Sequence, residues 1–233
     1  MKTLLNTKEE LKRQKRIHGL SEEISNEELR LLEEGVPIQY IIGFIDFDNL
    51  KIKVDKRALI PRYETQEVVN KALEFIKDNS SVLDLCTGSG YIGLSIASKT
   101  NAKVTISDIC PKALELAKEN AEMNDLSVKI LHSDLFKNIN DKFDIIVSNP
   151  PYIPKGNIVD KSVLDHEPLK ALFAGEDGNK FYKKIITSAP KYLNDGGWLI
   201  FEISEDNKDY IISKGFKVFN DINNKARIAI KQY

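Results

Sequence analysis

Ser81-Val82-Leu83-Asp84-Leu85-Cys86-Thr87-Gly88-Ser89-Gly90-Tyr91-Ile92-Gly93-Leu94 is the stretch that decides the fold. Its first five residues read as a short strand and Tyr91 to Ser98 as a helix. Between them, Gly88, Gly90 and Gly93 fit G-x-G-x-x-G in the strand–turn–helix setting that gives this spacing meaning. Glycines let backbone approach a ligand closely, and a helix amino end presents unpaired N–H groups. The turn Cys86-Thr87-Gly88-Ser89-Gly90 is therefore a candidate cofactor cradle.

Downstream, Val104-Thr105-Ile106-Ser107 reads as a second strand ending at Asp108. Dinucleotide folds place a carboxylate for ribose hydroxyls about 20 residues past the Gly-rich turn, and Asp108 fits that role. Pro111 to Asn124 reads as a helix with proline in its first turn. Val128 to Leu131 is a third strand, followed by Ser133-Asp134-Leu135-Phe136. Asp134 is a candidate acceptor for an adenine amino group, with Leu135 against the base; the competing reading of Asp134 is a helix or turn cap.

Phe143 to Ser148 is an apolar run that reads as a buried parallel strand. Asn149-Pro150-Pro151-Tyr152 must break it, because neither proline has an N–H for the ladder. The break falls at the strand's carboxyl end, the edge where open α/β sheets bind ligands. Asn149 Oδ1 and the Pro150 carbonyl can accept two hydrogen bonds, and Tyr152 can pack on a face. That suits a planar group bearing N–H donors: a carboxamide, or the exocyclic amine of adenine or cytosine.

In this order of elements the chain resembles the S-adenosylmethionine-dependent methyltransferases with a Rossmann-like fold. More narrowly, it is similar to the HemK/PrmC family of protein-(glutamine-N5) methyltransferases, which act on peptide chain release factors. The resemblance runs from about Pro37 to the C-terminus. It is carried by Gln39 to Gly43, Leu59-Ile60-Pro61-Arg62, Asp84 to Gly90, Ser148 to Tyr152, His166-Glu167-Pro168, Ala174 to Gly178 and Gly196-Gly197-Trp198. It implies an α/β fold with a doubly wound, mostly parallel seven-stranded sheet and a C-terminal antiparallel strand. It also implies methyl transfer from S-adenosylmethionine to the glutamine of a release factor Gly-Gly-Gln loop. The implied catalytic residues are Asn149, Pro150 and Tyr152, and Pro151 joins them in the acceptor site. The implied cofactor set is Cys86 to Gly90, Asp108, Asp134, Leu135 and Asn149.

Three departures from the family pattern stand out. Cys86 replaces the first glycine of the turn; the expectation is an ordinary backbone conformation that merely narrows the pocket. A nucleophilic role for Cys86 is disfavoured, since no basic partner is near in sequence. Tyr63 replaces the proline after Leu59-Ile60-Pro61-Arg62; Arg62, Glu64 and Thr65 are still expected to border the cofactor's methionine end. The segment before Pro37 is short for the family's N-terminal helical domain.

With 34 basic and 35 acidic residues among 233, net charge is −1. There is thus no bulk attraction to nucleic acid or an anionic membrane. No apolar run is long enough to span a bilayer. Cys86 and Cys110 form no Cys-x-x-Cys pair, and three scattered histidines give no zinc spacing. The expectations are a cytoplasmic monomer with reduced thiols, no metal, no membrane partner and no direct nucleic-acid binding.

Three parts are expected: helices in 1–36, a β-hairpin linker in 37–56 and the methyltransferase domain in 57–233. Ser21 and Ser25 are candidate N-caps, and Glu28 completes a capping box with Ser25. Ile38 to Val54 alternates around Asp48-Asn49 like a hairpin. Glu64 to Asp78 and Lys180 to Tyr192 read as helices, Gly197 to Ile203 as a strand. Glu205 to Ser213 reads as a short helix. Phe216 to Phe219 and Ala226 to Lys231 read as an antiparallel pair. The stretch from Tyr152 to Gly178 is too long for an idle loop and is expected to enclose the acceptor. His166 and Glu167 read as a local hydrogen-bonded pair, Trp198 as packing, and Lys180, Lys183, Lys184 and Lys191 as a solvated face. Rival readings are a nucleic-acid adenine-N6 methyltransferase, a cofactor-binding protein without turnover and, more distantly, an NAD-dependent oxidoreductase.

Overall fold

The computed structural model describes residues 2–47 and 49–233, with side chains from residue 7 onward. Helices α1 (Lys2–Ile17) and α2 (Asn26–Glu33) open the chain. Ser25 caps α2: its hydroxyl accepts from Glu28 N, and Glu28 answers on the Ser25 N–H. Ser21 caps no helix. Lys15 joins the two helices, its ammonium 2.7 Å from Glu28 Oε1 and 2.6 Å from the Glu23 carbonyl.

The next segment departs from expectation. Residues 38–42 form helix α3 (Ile38–Ile42), and the hairpin begins only at β1 (Phe44–Phe47), pairing antiparallel with β2 (Leu50–Lys53). Pro37 starts that helix and Gly43, at φ 87°, ends it in the left-handed region. Asp48, at the expected turn, lies outside the described residues. The hairpin packs on the sheet. Ile45, Phe47, Leu50 and Ile52 are buried in the same cluster as sheet residues Val82, Val104 and Ile145.

Helix α4 (Thr65–Leu73) leads into β3 (Ser81–Leu85), α5 (Tyr91–Lys99), β4 (Lys103–Asp108), α6 (Pro111–Met123), β5 (Lys129–His132) and β6 (Phe143–Ser148). After a long excursion containing α7 (Lys161–His166) come α8 (Lys180–Ser188), β7 (Leu193–Glu202), α9 (Lys208–Ser213), β8 (Lys217–Asn220) and β9 (Ala226–Gln232). The seven-stranded sheet runs β5-β4-β3-β6-β7-β9-β8. All its neighbours pair in parallel except around β9, which is antiparallel to both β7 and β8. One apolar cluster packs α4, α5, α6 and the hairpin on one face. A second packs α8, α9 and Phe136 on the other. Such two-sided cover is what near-continuous apolar strands require. Trp198 stacks on Phe75 with ring centroids 4.1 Å apart, the packing role its position suggested. Among the described residues no helix is long and apolar enough to cross a membrane.

Candidate active site

The chain leaves β3 toward β4 on one side and reaches β6 on the other. Their carboxyl ends flank the crevice where α/β sheets bind ligands. The Gly-rich turn follows β3, Asp108 ends β4, Asp134 follows β5 and Asn149 follows β6. Residues spread over 64 positions of sequence, Cys86 to Asn149, thus come to one edge.

The turn is held from beneath. Asp84 is fully buried, and its Oδ2 accepts from Thr87 Oγ1 at 2.5 Å and Gly93 N at 2.8 Å. Its Oδ1 is buried without a partner, and burial pushes the carboxyl up to about 6. Gly93 is compulsory for packing: a Cβ there would stand 2.4 Å from Ile106 Cγ2 and 3.1 Å from Asp84 Oδ2. The Ser89 carbonyl accepts from Asn120 Nδ2 at 2.9 Å, while Asn120 Oδ1 takes Lys53 N at 2.7 Å. One buried amide therefore ties turn, hairpin and α6 together. Asn120 escaped the sequence reading, and Asp84 entered it only as part of a family segment, although a lone acid in an apolar strand was a visible signal.

Cys86 corrects an expectation. Its φ is 64°, so the residue sits in the left-handed region that its usual glycine would occupy freely. Burial, then Asp108, push its thiol well above the usual range, which removes it as a nucleophile. Asp108 Oδ2 accepts from Gly88 N at 3.0 Å and Oδ1 from Cys110 N at 2.9 Å. A carboxylate has about four acceptor positions, so the group still has room for hydroxyls. Asp134 is exposed and Leu135 half-buried at φ 49°. The turn there is closed by Ser133, whose hydroxyl donates to Leu135 O and accepts from Asn138 N. Capping thus belongs to Ser133, and the Asp134 carboxylate faces solvent.

On the acceptor side Pro150 is buried, while Asn149, Pro151 and Tyr152 are partly exposed. Among the described residues the Asn149 side-chain amide has no protein partner. Burial, followed by Glu202, pushes the Tyr152 phenol up to about 12, so it stays neutral. The Tyr152 carbonyl is fixed from outside: Asn207 Nδ2 lies 3.5 Å away and is itself held by Asn179 Oδ1 at 3.1 Å. Gly178, at φ 69°, packs so closely that a Cβ would come 2.4 Å from the Tyr152 carbonyl oxygen.

Residues 153–178 are more ordered than a long loop suggests. They contain α7 and a 3-10 turn, Leu169–Ala171, and return to their own start through Ile153 N to Leu172 O and Ala174 N to Ile153 O, both 2.9 Å. The expected local pair of His166 and Glu167 does not form. His166 Nε2 lies 3.2 Å from the Glu34 carbonyl. Glu167, with a side chain 1% exposed, accepts from Ile60 N at 3.0 Å and Arg62 Nη2 at 2.6 Å. That carboxylate clamps the Leu59 to Arg62 segment against the acceptor loop.

Residues 66–166 match the methyltransferase small domain family. Among solved structures, a Pyrococcus furiosus methyltransferase aligns with TM-score 0.61 at 22% identity, over 89% of this chain and 98% of that one. The E. cuniculi Mtq2–Trm112 complex, responsible for methylation of the eRF1 translation termination factor, aligns at 0.55 and 20%, over 76% and 98%. At such identities these share the fold. Sequence relatives are nearer. The release factor glutamine methyltransferase of Lactococcus lactis is 45% identical over 79% of this chain and 72% of its own. That of Borreliella burgdorferi is 36% identical over 99% and 86%. With its Gly-rich turn, its Asn-Pro-Pro-Tyr edge and matches of that extent, the chain belongs to the release factor glutamine methyltransferase family.

Proposed function

We propose that this chain transfers a methyl group from S-adenosylmethionine to the side-chain amide nitrogen of a protein glutamine, in the Gly-Gly-Gln loop of a peptide chain release factor. The observation that carries it is Asn149-Pro150-Pro151-Tyr152 at the sheet's carboxyl edge, beside the Gly-rich turn and with the Asn149 amide free of protein partners. The names of the sequence relatives support the acceptor.

The residues present fit the cofactor. Gly88 and Gly90 have positive φ and bare backbone, Asp108 keeps free acceptor positions for a ribose diol, and Asp134 and Leu135 border the space beyond β5. When bound, S-adenosylmethionine supplies an electrophilic methyl on its sulfonium. The protein's task is the acceptor, because an amide lone pair is delocalised into its carbonyl. Asn149 Oδ1 and the Pro150 carbonyl take the two amide N–H groups and aim the nitrogen. They also favour a more pyramidal, partly positive nitrogen over the flat ground state, which is the difference that lowers a barrier. Tyr152, held by Asn207 and Gly178, keeps the acceptor plane, and the 153–178 segment excludes water. No strong base is required, since an N-protonated amide sheds its proton readily.

The test is transfer of labelled methyl to three acceptors: release factor, release factor with its Gly-Gly-Gln glutamine changed to alanine, and duplex DNA. Label on the first alone is the expected result. Label on DNA assigns the adenine chemistry instead, and cofactor binding with no label assigns a protein without turnover on these acceptors.

A further inference from the structure

Glu202 ends β7, one residue beyond the Ser148–Phe201 pair, and so stands level with Asn149 at the sheet's edge. Val147 and Ile200 pair on the α4 face of the sheet, and strand alternation returns Glu202 to that face. Its side chain is 1% exposed, and among the described residues Oε2 has no hydrogen-bond partner. Oε1 stands 3.9 Å from Arg227 Nη1, beyond hydrogen-bonding distance. Arg227 instead gives its Nε to Asp221 Oδ2 at 3.2 Å. Thr65 Oγ1 lies against the carboxyl outside bonding geometry and is itself unpartnered. Buried carboxyl oxygens are seldom left open, because their desolvation then goes uncompensated. Its ion-pair partner is the largely buried Arg227 guanidinium. What fixes the strand end is the backbone, where the Tyr182 hydroxyl donates to the Glu202 carbonyl at 2.7 Å.

We propose that Glu202 is a specificity-determining residue beside the acceptor site, its buried negative charge favouring a carboxamide side chain over the corresponding carboxylic acid. The inference rests on reading the acceptor as an amide. Asn149 alone cannot make that distinction. Its Oδ1 accepts from an amide, but a flip presents Nδ2, which donates equally well to a carboxylate. A fixed buried anion breaks the tie. It attracts N–H donors and repels a second negative charge, and specificity commonly rests on such a repulsive element. The Tyr152 phenol senses Glu202 first among its charged neighbours, then Arg227, Arg62 and Glu64.

The preference should depend on pH. The groups facing Glu202 are Arg227 on β9, Arg62 and Glu64 ahead of α4, Thr65 in α4, Tyr182 on α8 and Tyr152. Burial outweighs the cations and pushes the carboxyl up to about 7. Discrimination against acid therefore grows as pH rises through that value.

The experiment uses the full chain saturated with S-adenosylhomocysteine, which is uncharged at sulfur and cannot react. Binding of release factor and of its Gly-Gly-Glu variant is measured calorimetrically at pH 6 and pH 8.5, for wild type and Glu202→Gln. Wild type is expected to prefer glutamine at least about tenfold at pH 8.5, and less at pH 6. Glu202→Gln is expected to lose most of that preference and its pH dependence. An unchanged ratio in Glu202→Gln overturns the inference. Should that variant not fold, a wild-type ratio that fails to grow from pH 6 to 8.5 overturns it equally. Methyl transfer to glutamine without any such preference sinks this inference and spares the function. A preference that follows Glu202 without methyl transfer does the reverse, and binding of neither protein overturns both.

Discussion

In the proposed mechanism Asn149 is the single side chain that carries most of the chemistry. Replacing it with alanine removes one of two acceptors aimed at the amide, and groups of this kind contribute about 2–4 kcal/mol of transition-state stabilisation. Asn149→Ala should therefore lower kcat about 30- to 1000-fold while the affinity for S-adenosylhomocysteine changes little; near-normal turnover would sink the assignment. Cys86 supports a different forecast. A left-handed L-residue costs about 1–2 kcal/mol, so glycine, usually worse than alanine, should here be better. Cys86→Gly should exceed Cys86→Ala in stability by about 1 kcal/mol in urea unfolding, and the opposite order would refute the strain. The prolines made Asn149 to Tyr152 legible, because missing N–H groups dictate where a strand stops. Nothing in the letters told the φ of Cys86, which depends on how the turn meets Asp108 and Ser148. Glu202 was legible in principle: Leu199-Ile200-Phe201-Glu202-Ile203 puts one acid inside an apolar run.

Among the elements, the segment 153–178 decides how firmly the site is built. Gly178 abuts the Tyr152 carbonyl, so alanine there must displace backbone rather than a flexible side-chain tip. Gly178→Ala should reduce kcat about 10- to 100-fold, the penalty of a misplacement near 1 Å. Gly156→Ala is the control. Its φ is 93° but its added methyl meets nothing within 4 Å, so it shares the backbone strain without touching the site. If both variants lower kcat alike, general strain and not the contact with Tyr152 is the cause. The strands of the sheet were legible because each is a short apolar run between turn residues. The return of this segment upon itself was not. Ile153 meets Leu172 and Glu167 meets Ile60 across 19 and 107 residues, and such pairings leave no periodic trace. Helix α3 was lost for a related reason: five residues are too few to separate a helix from the first turn of a hairpin strand.

At the scale of the whole molecule, the edge that carries the candidate site lies over two buried carboxyls. The N-terminal segment contributes to that edge: Ser162 Oγ donates to the Gly35 carbonyl at 2.8 Å, and His18 Nδ1 lies 2.7 Å from Asp46 Oδ2 on the hairpin. Its apolar count alone gave no hint that it would brace the acceptor loop. Beneath the edge, Glu202 and Asp84 are both fully buried acids, pushed up by burial to about 7 and about 6. In the unfolded chain such groups titrate near 4. Between about pH 4 and pH 7 the folded protein therefore holds protons that the unfolded chain has released. Stability must fall as pH rises through that window. Acids held low by hydrogen bonds, such as Asp221 and Asp144, act the opposite way, but only as pH drops below about 4. The ligand-free protein should accordingly melt at a higher temperature at pH 5 than at pH 8. Glu202 alone accounts for on the order of 3 kcal/mol, which for a domain of this size is about 5–10 °C. Calorimetry at constant ionic strength checks it, and Glu202→Gln should flatten the upper half of the curve. A wild-type melting temperature that climbs from pH 5 to pH 8 would mean that these two carboxyls are not buried as charges in the free enzyme.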